Sequence, residues 1–127
     1  MHIGQDDEDA RVVREKIGDK ILGVSAHNLK EAQEAIAAGA DYIGVGPIYP
    51  TTSKEDAKKA QGPAIIRLLR DQGVDIPLVA IGGITAENAG EVMSAGADGV
   101  SVISAIASAA SPFMATKQLV QAVFNNK

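Results

Sequence analysis

The sequence predicts an α/β protein in which strands and helices alternate around a parallel sheet, and three observations carry that prediction. Short apolar runs such as Leu78 to Ile81 are too short for free-standing helices and are bounded by proline or glycine, as expected of strands covered by helices. Helix start and stop signals stand between these runs. An internal repeat sets AGADYIGVG, Ala38 to Gly46, against AGADGVSVI, Ala95 to Ile103, each a helix end, a glycine break and a strand. Their separation is about twice the size of one β/α unit, so the chain is an array with two such units per repeat. Strands alternating with helices imply right-handed crossovers.

Composition agrees. The 127 residues are 46% hydrophobic but only 3% aromatic, so the core is built of Ala, Val, Ile and Leu, the packing set of α/β proteins rather than β-sandwiches. A net charge of −4 argues against a nucleic-acid surface. No apolar run is long enough to span a bilayer, and the acidic N-terminus is unlike a signal peptide, which predicts a soluble, cytoplasmic chain. There is no cysteine, which excludes disulfides and thiolate metal sites.

In chain order, His2-Ile3-Gly4 reads as the tail of a strand. It leads into the acids Asp6 to Asp9 and a helix from about Glu8 to Ile17, with Gly18 placed to end it. Lys20 to Ser25 is the next strand, closed by the loop Ser25-Ala26-His27. Asn28 and Glu31, at capping-box spacing, begin a helix that ends at Gly39. Asp41 to Gly46 is a third strand. The loop PIYPTTSKEDAKKAQG follows, of a length that in compact domains is functional or disordered. Pro63 opens a helix to about Gln72, stopped by Gly73. After the strand at Leu78, Gly82-Gly83 makes a turn, Thr85 caps a helix, Gly99 to Ile103 forms a strand, and the small-residue segment SAIASA supplies one more short helix. Ser111-Pro112 begins a C-terminal helix through Phe124.

Parallel β/α arrays place their chemistry at the carboxyl ends of the strands. Those ends carry Asp6 and Asp7, the hydroxyls of Ser25, Thr51, Thr52, Ser53 and Ser104, the cation Lys54, and the amides of Gly82-Gly83. Glycines there let ligand oxygens approach the backbone, and in barrel proteins a phosphate site is frequently made by the last two such loops and a short extra helix. Mg²⁺ prefers a few carboxylates plus phosphate oxygens, and lysine is a point charge suited to phosphate. This rim therefore suits a phosphorylated substrate. Taken singly, Asp6 to Asp9 also suit a solvated helix start, Lys54 a solvated loop, and His27 a loop histidine or a general acid/base.

Five motifs in order, HIGQDD, GVSAH, GADYIGVGPIYPTTSK, IPLVAIGGIT and GADGVSVISAI, resemble the thiamine phosphate synthases across essentially the whole chain. That resemblance implies a (β/α)8 barrel, here a partial barrel covering roughly strands 4 to 8. The implied activity joins hydroxymethylpyrimidine diphosphate to thiazole phosphate and releases pyrophosphate with Mg²⁺. Residue by residue, it implies that Asp7 is a Mg²⁺ ligand and that Ser25 and Lys54 hold the pyrimidine diphosphate and its leaving group. Thr51, Thr52, Ser53, Gly83, Ile103 and Ser104 would hold the thiazole phosphate. In that family the diphosphate leaves first and the thiazole nitrogen captures the resulting pyrimidine-methyl cation, so leaving-group stabilisation by Mg²⁺, Lys54 and Ser25 replaces a general base.

The family's Gln-x-Arg-x-Lys motif and Asn-Asp pair do not occur here. The expectation is therefore a C-terminal portion, inactive alone, that is ordered as a homo-oligomer or by a separate N-terminal portion covering Val45, Val79, Ile81, Val100 and Val102. Two alternatives stand beside it: a thiazole tautomerase using His27, and a non-catalytic phosphate-binding partial barrel.

Overall fold

A computed structural model describes residues 1–50, 60–102 and 104–125, excepting the side chains of Ser104 and Asn125. Thr51, Thr52, Ser53, Lys54 and Ile103 lie outside the described residues. Five strands, β1 (His2–Ile3), β2 (Gly23–Ala26), β3 (Tyr42–Val45), β4 (Leu78–Ile81) and β5 (Gly99–Ser101), form one sheet in the order β1-β2-β3-β4-β5. Every neighbouring pair is parallel. The helices between and after them are α1 (Ala10–Ile17), α2 (Leu29–Ala37), α3 (Ala64–Asp71), α4 (Ala89–Ser94), α5 (Ser104–Ala107) and α6 (Pro112–Asn125). Among the described residues no helix is long and apolar enough to cross a membrane.

Strand alternation sorts the side chains. Ile3, Val24, Ala26, Ile43, Val45, Leu78 and Ala80 join Val13, Ala35, Ile66, Leu69 and Val92 in one buried core, which identifies the helix-covered face. Leu22, Ile43, Ile48, Ile66, Leu69 and Leu78 are wholly buried, each worth roughly 1.5–3 kcal/mol. Val45 is likewise fully buried, against the expectation that it needs a neighbour from outside the chain. The alternate residues, His2, Ser25, Tyr42, Val79, Ile81 and Ser101, share the opposite face, where Ile81 stays 42% exposed. Val100 and Val102 are half-buried against the core.

Local signals placed the elements with small shifts. Asp9, not an acid within the first turn, caps α1, its Oδ1 accepting from the Arg11 amide at 2.8 Å. Asn28 caps α2 as anticipated, accepting from the Glu31 amide at 2.8 Å. Pro63 stands just before α3. Thr85 does not cap α4 with its side chain. Its carbonyl instead accepts from the Asn88 and Ala89 amides in a turn that delays the helix to Ala89.

The repeat has a structural basis. At the amino ends of the strands, Arg70 Nε donates to Gly96 O at 2.9 Å. Its Nη1 donates to Val74 O and Ile76 O at 3.0 and 2.9 Å, and its Nη2 to Asp98 Oδ2 at 2.6 Å. Asp98 Oδ2 also accepts from the Leu78 amide at the start of β4. Arg14 repeats this pattern on Gly39 O, Gly18 O, Lys20 O and Asp41, and Asp41 accepts from the Leu22 amide. Two such clasps, one per repeat, tie a helix end to the strand that follows and to the next strand's start.

Candidate functional site

On the open sheet face His2 stands between two hydroxyls. Its Nδ1 lies 3.0 Å from Tyr42 Oη and its Nε2 lies 2.8 Å from Ser25 Oγ. Parallel register explains the meeting, since His2 pairs with Gly23, Gly23 with Tyr42, and Ser25 with Gly44. Gly23 is required because a Cβ there would overlap the Tyr42 ring, and a Cβ on Gly44 would come 3.2 Å from His2 Cε1. The three side chains, with Val79, Ile81 and Ser101, line a cavity of 240 Å³. A neutral imidazole donates from one nitrogen and accepts at the other. In the tautomer where Tyr42 donates to Nδ1 and Nε2–H donates to Ser25, the Ser25 proton is left for a ligand oxygen.

Ser25 was named from the sequence, whereas His2 and Tyr42 were not. Their signal was present in the strand alternation that puts both on the Ser25 face, but nothing in one sequence shows which face stays open.

Asp7 sits elsewhere. Its Oδ2 accepts from the Gly4 amide at 2.7 Å, closing the turn after β1, and it lines a 390 Å³ groove with Glu8, Asp9, Glu31 and Glu34 beside α1 and α2. Gln5 connects the two regions by donating to Ser25 O at 2.7 Å. Among the described residues no group of three or more His, Asp or Glu side chains is placed to hold a metal. As the donor set for a metal, Asp7 thus offers one carboxylate. This fits a Mg²⁺ whose remaining ligands are phosphate oxygens and water rather than a closed protein cage.

Of the second predicted cluster, the Gly82-Gly83 turn lies among the described residues, at φ of 104° and 65°. The strap from Pro47 to Pro50 crosses this turn. Ile48 N donates to Ile81 O and Tyr49 N to Gly82 O, both at 3.0 Å. A Cβ on Gly82 would lie 2.7 Å from Pro47 Cα, and one on Gly83 would lie 2.8 Å from Pro50 O. The glycines therefore admit the strap as well as any ligand, a reason invisible in the motif itself. Tyr49 Oη donates to Glu91 Oε2 on α4 at 2.7 Å. Burial, reinforced by the neighbouring Glu91 carboxylate, pushes this phenol up to about 12. Past β5 the backbone enters α5 at Ser104, so the small-residue segment does form the anticipated short helix.

His27 lies at the end of β2, where Glu31 Oε1 accepts from its backbone amide and lies 2.9 Å from its Nδ1. Gln61 Nε2 donates to the His27 carbonyl. The Glu31 carboxylate orients the ring, and Nε2 has no partner among the described residues.

The family model described as thiamine monophosphate synthase matches residues 1–106. The chain is 72% identical over 123 residues to the thiamine-phosphate synthase of Geobacillus kaustophilus strain HTA426, covering 97% of this chain and 56% of that protein. It is 55% identical over 127 residues to the thiamine-phosphate synthase of Bacillus velezensis, of which it covers 57%. Among solved structures, the thiamine phosphate pyrophosphorylase from Pyrococcus furiosus superposes with a TM-score of 0.88 at 38% identity, covering 98% of this chain and 59% of that one. The chain thus spans little more than half the length of the relatives it matches. With 106 of its 127 residues inside the family match, the chain belongs to the thiamine monophosphate synthase family.

Proposed function

We propose that the chain serves thiamine biosynthesis as a transferase that joins hydroxymethylpyrimidine diphosphate to thiazole phosphate, releasing pyrophosphate. The observation that carries this is the Ser25 hydroxyl hydrogen-bonded to His2, whose other ring nitrogen meets Tyr42, on the open face at the end of the sheet where the Gly82-Gly83 turn also lies. In the proposed reaction the pyrimidine methylene–oxygen bond breaks with its electrons passing to the diphosphate, and the thiazole nitrogen closes the new carbon–nitrogen bond. Ser25 donates to the departing diphosphate, and Lys54 neutralises it. Mg²⁺, when bound, would screen the diphosphate charge, and Asp7 is the carboxylate that would hold it. Thr51, Thr52, Ser53, Gly83, Ile103 and Ser104 bind the thiazole phosphate. The sequential parallel order of the sheet supports reading it as roughly strands 4 to 8 of a (β/α)8 barrel. The exposed Ile81, with Phe113 and Phe124 on α6, supports self-association, which light scattering behind a sizing column measures.

A coupled assay for pyrophosphate release tests the activity. Turnover that is Mg²⁺-dependent and falls at least about a hundredfold in Ser25→Ala is expected, the scale of losing one preorganised donor. Turnover unaffected by Ser25→Ala refutes the assignment. No turnover, with thiazole phosphate still bound, leaves the non-catalytic phosphate-binding barrel.

His27 favours a second reading, a thiazole tautomerase, because Glu31 orients its ring as it would a general base. NMR of the thiazole carboxylate phosphate decides: isomerisation abolished by His27→Ala establishes it, and no isomerisation excludes it.

A further inference from the structure

The Gly82-Gly83-Ile84 turn is held by two separate anchors, and together they set its free amides. Tyr49 N–H donates to Gly82 O at 3.0 Å. Asn88 bridges the turn's other side, its Nδ2 donating to Gly83 O at 3.0 Å while its Oδ1 accepts from the Thr85 amide at 2.8 Å. Those two bonds fix the Asn88 amide, since the flipped orientation would set donor against donor and acceptor against acceptor.

Among the described residues only the Gly46–Pro47 peptide is cis. In a trans peptide the C=O and the following N–H point in opposite directions. Tying Gly82 O to the strap therefore turns the Gly83 N–H away from the strap. Tying Gly83 O to Asn88 turns the Ile84 N–H away from Asn88. Neither the Gly83 nor the Ile84 amide has a partner among the described residues. Successive N–H groups left free in a turn with left-handed backbone are an anion-binding arrangement.

We propose that Asn88 is a positioning residue for phosphate binding: by holding Gly83 O it locks the Gly83–Ile84 peptide so that the Ile84 N–H joins the Gly83 N–H as a donor to the thiazole phosphate. This rests on the phosphate role assigned to Gly83 above. Asn88 itself touches no phosphate. Being half-buried with both polar atoms engaged, it loses a defined contact in each substitution. Asn88→Asp keeps the acceptor for Thr85, removes the donor to Gly83 O and sets a carboxylate oxygen against that carbonyl, whereas Asn88→Ala removes both contacts and adds no charge.

Amide NMR of the whole chain titrated with 2-(4-methylthiazol-5-yl)ethyl phosphate tests it. In the wild type the Gly83 and Ile84 amide protons should move downfield together and saturate. In Asn88→Asp the affinity should fall about tenfold and the Ile84 shift should vanish, with the melting temperature near that of the wild type. A merely structural Asn88 would lower the melting temperature and leave the Ile84 shift in the folded fraction. If Asn88→Ala does not fold, Asn88→Asp alone decides. Wild-type binding with Asn88→Asp unchanged in affinity and Ile84 shift overturns the inference while the phosphate role of Gly83 stands. Saturable wild-type shifts at Gly83 but not at Ile84 overturn it too, and no saturable wild-type binding overturns both.

Discussion

Replacing Arg70 by alanine removes three bonds to the carbonyls of Gly96, Val74 and Ile76 and an ion pair to Asp98. The ion pair counts for little, since the Asp98 side chain is 51% exposed, and exposed pairs contribute about 0–1 kcal/mol. The carbonyl bonds count for more because the Arg70 side chain is only 23% exposed and water replaces it poorly at the carbonyls. At about 1 kcal/mol net for each of the three, Arg70→Ala should cost about 3 kcal/mol. For a chain of this length that is roughly 10 °C in Tm. Urea unfolding followed by circular dichroism measures it, as a lower midpoint at unchanged slope. Arg70→Lys should recover about a third of the loss, because an ammonium cannot fork to carbonyls on two sides of a turn. Arg14 makes the equivalent contacts and shares no partner with Arg70, so the two alanine substitutions should add. Wild-type stability in Arg70→Ala, or full recovery by lysine, would refute the forked clasp as the cause.

Other perturbations reach the open face and the turn. Gly23→Ala drives a methyl into the Tyr42 ring, so Tyr42 should leave His2 and thiazole phosphate binding should persist while Ser25-dependent turnover drops, separable by calorimetry and the pyrophosphate assay. Gly83→Ala, strained at φ 65° and 2.8 Å from Pro50 O, should abolish thiazole phosphate binding by calorimetry. The Asp41 carboxyl is held below its ordinary range first by the Leu22 amide and then by Arg14. Its contribution is complete above about pH 4 and lost as pH falls through the lower folded value, so acid titration of Asp41→Asn should show a shallower acid limb. For Tyr49 the sign reverses: folded protein keeps the phenol proton up to about 12, whereas the unfolded chain releases it near 10. Stability should therefore fall as pH rises through that window, and Tyr49→Phe should lack that part of the decline.

The sequence by itself determined the alternation of elements, because each strand and helix is bounded by local chemistry. Pro77 and Gly82 bracket β4, Asn28 caps α2, and Gly39 at φ 97° ends it. The placing of Ser25 and of Gly82-Gly83 at strand ends was legible for the same reason. Only the tertiary structure decided why AGAD repeats: Asp41 and Asp98 matter through Arg14 and Arg70, partners 27 and 28 residues away that no local rule pairs. Nor does the motif show that Asp7 lines a groove apart from Ser25, or that His2 and Tyr42 meet around it, since parallel register brings together positions 40 residues distant. The Gly82-Gly83 pair shows both levels at once. Its left-handed turn is written in two adjacent residues, while the strap that crowds it, and the Asn88 side chain that orients its peptide, exist only once the chain has folded back on itself.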